Sequence, residues 1–265
     1  MITPTNYSIT FVGAGRLATQ LAIAFQQVNH EIKAIYSKTL RSAEELQHRL
    51  QDCKNIEVTD SLKEIPVTDV YIVAVTDNAL PEVLASWPEQ AKGGVVLHTA
   101  GSQDIELLHT ASEHYGVLYP MQTFSKDKLV DFRDVYIYIE SNDVTSGKIA
   151  YDLASSISNN VNRLSSADRK HLHLGAVVAC NFSNHLYELA FSYLSEHGIN
   201  PECLLSLIDE TSSKLHEISP HEGQTGPARR HDESVIQEHL SMLENHAELR
   251  AFYEMFTESI IRKFS

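Results

Sequence analysis

The most constraining feature of the sequence is the turn Gly13-Ala14-Gly15-Arg16-Leu17-Ala18, of the form G-x-G-x-x-A. It follows a short β-branched run, Ile9–Val12. It opens a segment, Arg16–Val28, in which Leu17, Leu21, Ala24, Phe25 and Val28 recur at helical spacing. A strand that turns through two glycines into a helix is the start of a doubly wound sheet. Gly13 permits the tight turn, Gly15 lets a pyrophosphate approach the backbone, and Ala18 lets the helix lie on the sheet. The unpaired N–H groups of such a helix start face the phosphates. Gly13, Ala14, Gly15, Arg16 and Leu17 are therefore assigned to a dinucleotide. Glycine also marks plain turns, so the assignment depends on the strand before it and the helix after it.

The rest of the first part has the same rhythm. Short apolar runs at Ile32–Tyr36, Val70–Val75, Val95–Leu97 and Val117–Tyr119 read as buried parallel strands, and Val135–Ile139 as a later one. Ser42–Leu50 and Ala79–Trp87 read as helices between them. After Arg163 no strand pattern remains. Ala167–Glu196 reads as one long helix, apolar on several faces and so buried nearly all round. Gly198 ends it, and Pro201 opens a helix that runs to about His216. A loop over Ile218–Asp232 precedes two more helices, Glu233–Leu243 and Ala247–Phe264. The expected fold class is α/β: a doubly wound Rossmann-type sheet over residues 1–160, then an all-helical domain over 161–265. The helical part is expected either to form a homodimer or to pack on its own sheet domain.

Composition removes several classes of function. Among 265 residues, 21 are lysine or arginine and 35 aspartate or glutamate, a net charge of −14, which repels a phosphate backbone and excludes a nucleic-acid partner. No apolar run is long enough to span a membrane, and the start has no basic-then-apolar leader, so a cytoplasmic location is expected. Cys53, Cys180 and Cys203 are odd in number and widely spaced, which suits a reducing compartment. Neither they nor the 14 scattered histidines have metal-site spacing, so no metal is expected.

The end of the second strand selects the cofactor. An NAD protein places a carboxylate there for the ribose hydroxyls. This chain has Tyr36-Ser37-Lys38-Thr39-Leu40-Arg41, two cations and two hydroxyls without a carboxylate. Ser37, Lys38, Thr39 and Arg41 suit a 2′-phosphate, and NADP is the expected cofactor; a solvated basic turn is the alternative. Val75, Thr76 and Asp77 lie at the carboxyl end of the next long strand, and Thr99, Gly101 and Ser102 after the one that follows, where ligands bind in such sheets. Asp77 could equally cap the helix behind it.

The stretches GAGRLA (13–18), YSKT (36–39), AVTDNAL (74–80), HTAGS (98–102), YPMQTFS (119–125), HLGAVVACNFSNHL (173–186) and TGPARRHD (225–232) together resemble a family of Rossmann-like proteins assigned as NADP oxidoreductases with a helical C-terminal domain. More distantly, the chain is similar to pyrroline-5-carboxylate reductases and deazaflavin-dependent NADP reductases. The resemblance covers nearly the full length. It departs at His231, where the family's Arg-Gly-Asp ending becomes Arg230-His231-Asp232. It also sets β-hydroxyacid dehydrogenases apart, since the residues four before Asn181 and Asn184 are Val177 and Cys180 rather than lysine.

Hydride transfer asks the protein for position and a proton near neutral pH. His173 and Asn181 are eight apart, about 80° on an α-helix, and are the candidate catalytic pair, with a substrate cleft and an ordinary core partner both open as explanations. His98 is a further candidate for proton transfer. Ser102, Gln122, Thr123 and Asn184 are expected at the substrate. Arg229 and Arg230 are candidates for a substrate carboxylate, unless they are a solvated pair. The expected function is NADP-dependent oxidoreduction of a small-molecule substrate. The resemblance implies a small, carboxylated imine or ketone. The rival reading is a non-catalytic NADP-binding sensor or interaction protein.

Overall fold

The computed structural model describes residues 6–265; the first five residues of the expected leaderless start lie outside that range. The chain divides into two compact units, one ending at Val178 and the other spanning Ala179–Ser265.

The first unit is built on one sheet. Strands β1 (Ser8–Val12), β2 (Glu31–Tyr36), β3 (Glu57–Thr59), β4 (Val70–Val73), β5 (Val95–His98), β6 (Tyr115–Pro120), β7 (Tyr136–Ser141) and β8 (Asn160–Arg163) lie in the order β3-β2-β1-β4-β5-β6-β7-β8. All neighbours are parallel except β6 and β7. Helices α1 (Arg16–Gln27), α2 (Leu40–Gln47), α3 (Leu80–Ala85), α4 (Val144–Ile157) and α5 (Ser166–Ala176) complete the unit.

Side-chain alternation along the strands sends apolar groups to both faces, as a sheet covered on two sides requires. Phe11, Ile72, Leu97 and Ile137 pack with Leu21 and Phe25 of α1 and Leu153 of α4. Val12, Tyr71, Val73 and Val96 pack on the other face with Leu80 and Leu84 of α3 and with Trp87. The doubly wound fold read from the sequence is present. β3, β8 and α4 are additions to it. α4 carries little helix-forming sequence, and a reciprocal capping box between Asp143 and Ser146 starts it.

The expected division near residue 160 is displaced to Val178 because α5 is tied into the sheet unit. Glu140 on β7 accepts from Ser166 N (2.9 Å), Ser166 Oγ (2.7 Å) and Arg169 Nη1 (2.6 Å). Arg169, the largest fully buried side chain, also donates to the carbonyl of Gln103.

The second unit is helical: α6 (Ser183–Glu196), α7 (Leu205–Ser213), α8 (Pro227–Arg230), α9 (Glu233–Met242) and α10 (Ala247–Phe264). The expected single helix over Ala167–Glu196 is instead α5, a π-helical turn at Val177–Phe182, and α6. The expectation that this helix is buried nearly all round is not met in the single chain. α6, α7 and α10 contain no buried residue, and Ala228, Ile236 and Leu243 are the unit's buried apolar side chains among the described residues. Among the described residues, Tyr187 of α6, Leu207 of α7 and Met255 and Phe256 of α10 are large apolar side chains left exposed.

Candidate active site

The chain order of the strands reverses between β1 and β4, the place where open α/β sheets bind ligands. Gly13 leaves β1 at φ +116°, and its N–H donates to the carbonyl of Tyr36 at 2.8 Å. A Cβ there would lie 2.4 Å from the carbonyl oxygen of Ala74 at the end of β4, so no other residue fits. A Cβ at Gly15 would meet nothing within 4 Å: the space before the helix is open. α1 starts without a side-chain cap and without an acid in its first turn. Its orphan N–H groups are left for an anion, and the residues fit a pyrophosphate.

A cavity of about 660 Å³ opens beside this turn, lined by Gly13, Ala14 and Gly15, by Tyr36, Ser37 and Lys38, by Ser61 and Lys63, and by Val75, Thr76 and Glu82 among others. Half of the expected cofactor residues therefore meet here: Gly13, Ala14, Gly15, Ser37, Lys38, Val75 and Thr76. Thr39 and Arg41 do not line the cavity. The Thr39 hydroxyl bonds to Ser42 Oγ at 2.8 Å, and Arg41 Nε donates to Glu45 Oε1 at 3.0 Å, one turn further along α2. Arg16 is exposed, and Leu17 packs against the core. Lys63 and Glu82 were not anticipated, because the sheet rather than the sequence brings them to Lys38.

A second cluster lies at the carboxyl ends of β4, β5 and β6. Ser102 Oγ donates to Asp77 Oδ2, and Gln103 Nε2 reaches Ser102 Oγ at 3.4 Å. Next to them, Tyr119 Oη and His173 Nδ1 are 3.1 Å apart, with the rings edge to face. Gly101 is what allows this: a Cβ on it would be 2.5 Å from His173 Nδ1. Burial pushes the Tyr119 phenol up; Arg169 opposes the shift and Asp77 adds to it. The Arg169–Glu140 pair sits one turn before His173 on α5 and fixes the helix that carries it. Tyr119 was missed as a functional residue because it reads as strand core. A buried tyrosine hydroxyl that needs a partner was the available signal.

Other candidates are placed differently. Thr99 is buried, and its N–H donates to the carbonyl of Val73 at 3.2 Å. His98 is wholly buried and accepts from Ala100 N at 3.1 Å; burial above all, with the Arg169 charge, brings it down to about 3. It is a neutral strut of the turn and not a proton donor to substrate. Gln122 is exposed and folds its Oε1 back onto Thr123 N at 2.8 Å.

In the second unit Asn181 and Asn184 are exposed. The 100°-per-residue spacing that related Asn181 to His173 stops at Ala176, where the π-helical turn begins. Arg229 and Arg230 are both exposed, the Arg229 guanidinium stacking 4.4 Å over the ring of Phe264, which His221 also stacks on. Among the described residues no three His, Cys, Asp or Glu are gathered to hold a metal, and no helix is long and apolar enough to cross a membrane.

Two family models match the chain: a Rossmann-like domain over residues 1–121 and a domain of unknown function, DUF2520, over residues 135–260. No curated protein matches it. Among solved structures it is similar to a protein of Bacteroides fragilis provisionally assigned as an NADP oxidoreductase, at 39% identity over 97% of this chain and 98% of that one, with a TM-score of 0.89. A protein of Thermotoga maritima matches at 21% identity over 97% and 98% of the two chains, with a TM-score of 0.77. The reductive aminase of Aspergillus terreus, solved with NADPH and ethyl levulinate, matches at 17% identity over 98% and 95%, with a TM-score of 0.71. The last two likenesses are of fold alone. The first, together with the glycine turn and the switch-point cavity, identifies the chain as a member of the NADP oxidoreductase family that joins a Rossmann-like domain to DUF2520.

Proposed function

We propose that the protein is an NADP-dependent oxidoreductase that moves a hydride to or from a small imine or ketone bearing a carboxylate. The observation that carries this reading is the coexistence, in one sheet unit, of an open phosphate cradle at Gly13–Gly15 and a proton-bearing pair, Tyr119 and His173, along the same carboxyl edge of the sheet. A nucleotide sensor needs the cradle alone.

When bound, the cofactor would give or take the hydride. Gly13, Gly15 and the start of α1 would hold its pyrophosphate, and Ser37 and Lys38 would face its adenosine end. Asp77 and Ser102 hold each other and shape the crevice beyond. Tyr119 Oη and His173 Nδ1 share one hydrogen bond; with the phenol as donor, the imidazole carries its proton on Nε2, and that proton is the one offered to substrate. Arg169, neutralised by Glu140, anchors α5 so that this imidazole keeps its place over Gly101. Arg229 and Arg230, the candidates for a carboxylate, are both exposed on the second unit, Arg229 stacked on Phe264.

The uncovered faces of α6, α7 and α10 support a homodimer through the helical unit, with a second copy as the missing layer: Phe182, Leu207, Met255 and Phe256 are all exposed. The free cysteines support a reducing, cytoplasmic setting.

The test is NADPH oxidation over a panel of ketoacids, ketones and cyclic imines, with His173→Ala, Tyr119→Phe and Asn181→Ala run beside the parent. Turnover on a carboxylated member should fall by about 10²–10⁴-fold in His173→Ala. Cofactor affinity should be kept. Cofactor binding without turnover anywhere on the panel would favour the sensor.

A further inference from the structure

We propose that Lys63, acting with Lys38, holds the 2′-phosphate of the dinucleotide, and that Arg41 does not; this rests on the NADP reading above.

The argument begins with the sheet. β2 and β3 run parallel with Tyr36 opposite Thr59, and Ser37 N donates to the carbonyl of Thr59 at 3.1 Å. Both chains therefore leave the sheet side by side at its carboxyl edge. Lys38 lies two residues past Tyr36, and Lys63 four past Thr59, and both line the cavity that contains Gly13–Gly15.

The turn that carries Lys63 is fixed. Leu62 and Ile65 are buried on either side of it. Ser61 N donates to Thr59 Oγ1 at 3.0 Å, Thr59 Oγ1 donates to Glu64 Oε2 at 2.7 Å, and Gln90 Nε2 donates to the Lys63 carbonyl at 2.8 Å. The backbone that carries the exposed Lys63 side chain is thus held in place beside the pocket.

Charge then separates the three cations. Among the described residues neither Lys38 nor Lys63 has a carboxylate within ion-pair distance, whereas Arg41 is taken by Glu45, which Lys126 also approaches at 3.3 Å. Glu82 lines the same cavity; burial first, and then the charges of Glu82 and Asp60, push the Tyr36 phenol up. One lysine would only balance Glu82. The second leaves the wall net positive, as a dianionic phosphate ester requires and a bare ribose does not.

The experiment is direct binding by titration calorimetry, with NADPH and NADH as ligands and with 2′,5′-ADP against 5′-AMP as fragments. It is run on the parent, Lys63→Ala, Lys38→Ala, Lys63→Arg and Arg41→Ala, each checked for an unchanged melting temperature. We expect the parent to prefer NADPH. Lys63→Ala and Lys38→Ala should each weaken NADPH and 2′,5′-ADP by about tenfold while NADH and 5′-AMP stay within twofold. Lys63→Arg should retain the preference, and Arg41→Ala should change neither cofactor by more than twofold. A parent that prefers NADPH while Lys63→Ala leaves that preference intact, or while Arg41→Ala abolishes it, overturns the inference and leaves the cofactor reading standing. A parent that binds NADH as tightly as NADPH overturns the cofactor reading itself.

Discussion

The two units of this chain solve the burial problem in opposite ways. The sheet unit buries apolar side chains on both faces and even encloses a charge: Arg169 is fully buried because Glu140 and the Gln103 carbonyl meet it. The helical unit leaves Phe182, Leu207, Met255 and Phe256 exposed, and its ion pairs are solvated. A sheet with helices on both sides is complete within one chain. A handful of helices with one apolar face each is not, and needs another surface to become a core. The contrast gives the first unit a core of its own, and on the dimer proposed above it makes the stability of the second a property of the assembly.

The largest effect that would break this comparison is at Glu140. Glu140→Ala leaves the Arg169 guanidinium buried without its counter-charge, which costs about 3–5 kcal/mol. The denaturant midpoint should fall steeply at any protein concentration. In the helical unit, Glu248→Ala removes a 3.4 Å contact to an exposed His185 and should leave the midpoint where it was. Equal responses at the two sites would erase the distinction.

Next in size is the apolar face. If a second copy covers α10, Phe256→Ser should cost about 2–3 kcal/mol at micromolar concentration and produce a monomer by sedimentation. The parent's melting temperature should rise with concentration. In a permanent monomer the same substitution, at an exposed side chain, would be nearly silent.

A third, smaller effect is a pH dependence that belongs to the sheet unit. His98 titrates near 3 in the folded chain against 6.5 when unfolded. Between those values the unfolded chain binds the extra proton, so stability is complete above pH 6.5 and is lost as the pH falls, by about 1.4 kcal/mol per unit. His98→Asn, whose side-chain oxygen can still accept from Ala100 N, should flatten the decline between pH 6 and 4. His185, in the helical unit, shifts the other way: the hydrogen bonds it donates to Glu188 and Glu248 hold its pKa above the usual value. In proton resonance titrations His185 should remain charged to higher pH than a free histidine, while His98 should show no titration above pH 4.

What could be read from the sequence follows the range of the forces involved. The glycine turn, the apolar strands and α1 are local patterns, and each stands within a few residues of where periodicity puts it. β3 has three residues and β8 reads Asn-Val-Asn-Arg, so neither offers a pattern, and pairing alone makes them strands. Lys38 was legible because it follows a strand directly. Lys63 was not, because only the β2–β3 register brings it to the same wall. Arg41 looked equivalent to Lys38 in sequence, but the first turn of α2 aims it at Glu45. Arg169 reads as a solvated helix residue until Glu140, 29 positions earlier, is placed beneath it. The apolar helix around Val177–Leu194 was legible as needing burial, yet a single sequence does not say which chain supplies the cover.

The smallest effect concerns His231, which stands where the resembled family has a glycine; a changed substrate contact is one reason for such a departure. The backbone supplies a different reason for that glycine. Position 231 ends the short helix α8 with φ +54° and ψ +41°, the left-handed conformation that glycine adopts freely and a side chain does not. Its N–H donates to the Ala228 carbonyl at 3.3 Å, and Asp232 N donates to the Pro227 carbonyl at 3.0 Å, so the turn is held by its own hydrogen bonds. The histidine thus carries a conformational cost of about 1 kcal/mol, which glycine would relieve while losing part of that gain to its larger unfolded entropy. His231→Gly should therefore stabilise the helical unit by about 0.5 kcal/mol and leave the KM of any turned-over substrate unchanged. A substrate role for the imidazole would reverse the pattern, with stability constant and KM raised. That result would return this position to the site and make the helical unit chemically active as well as structural.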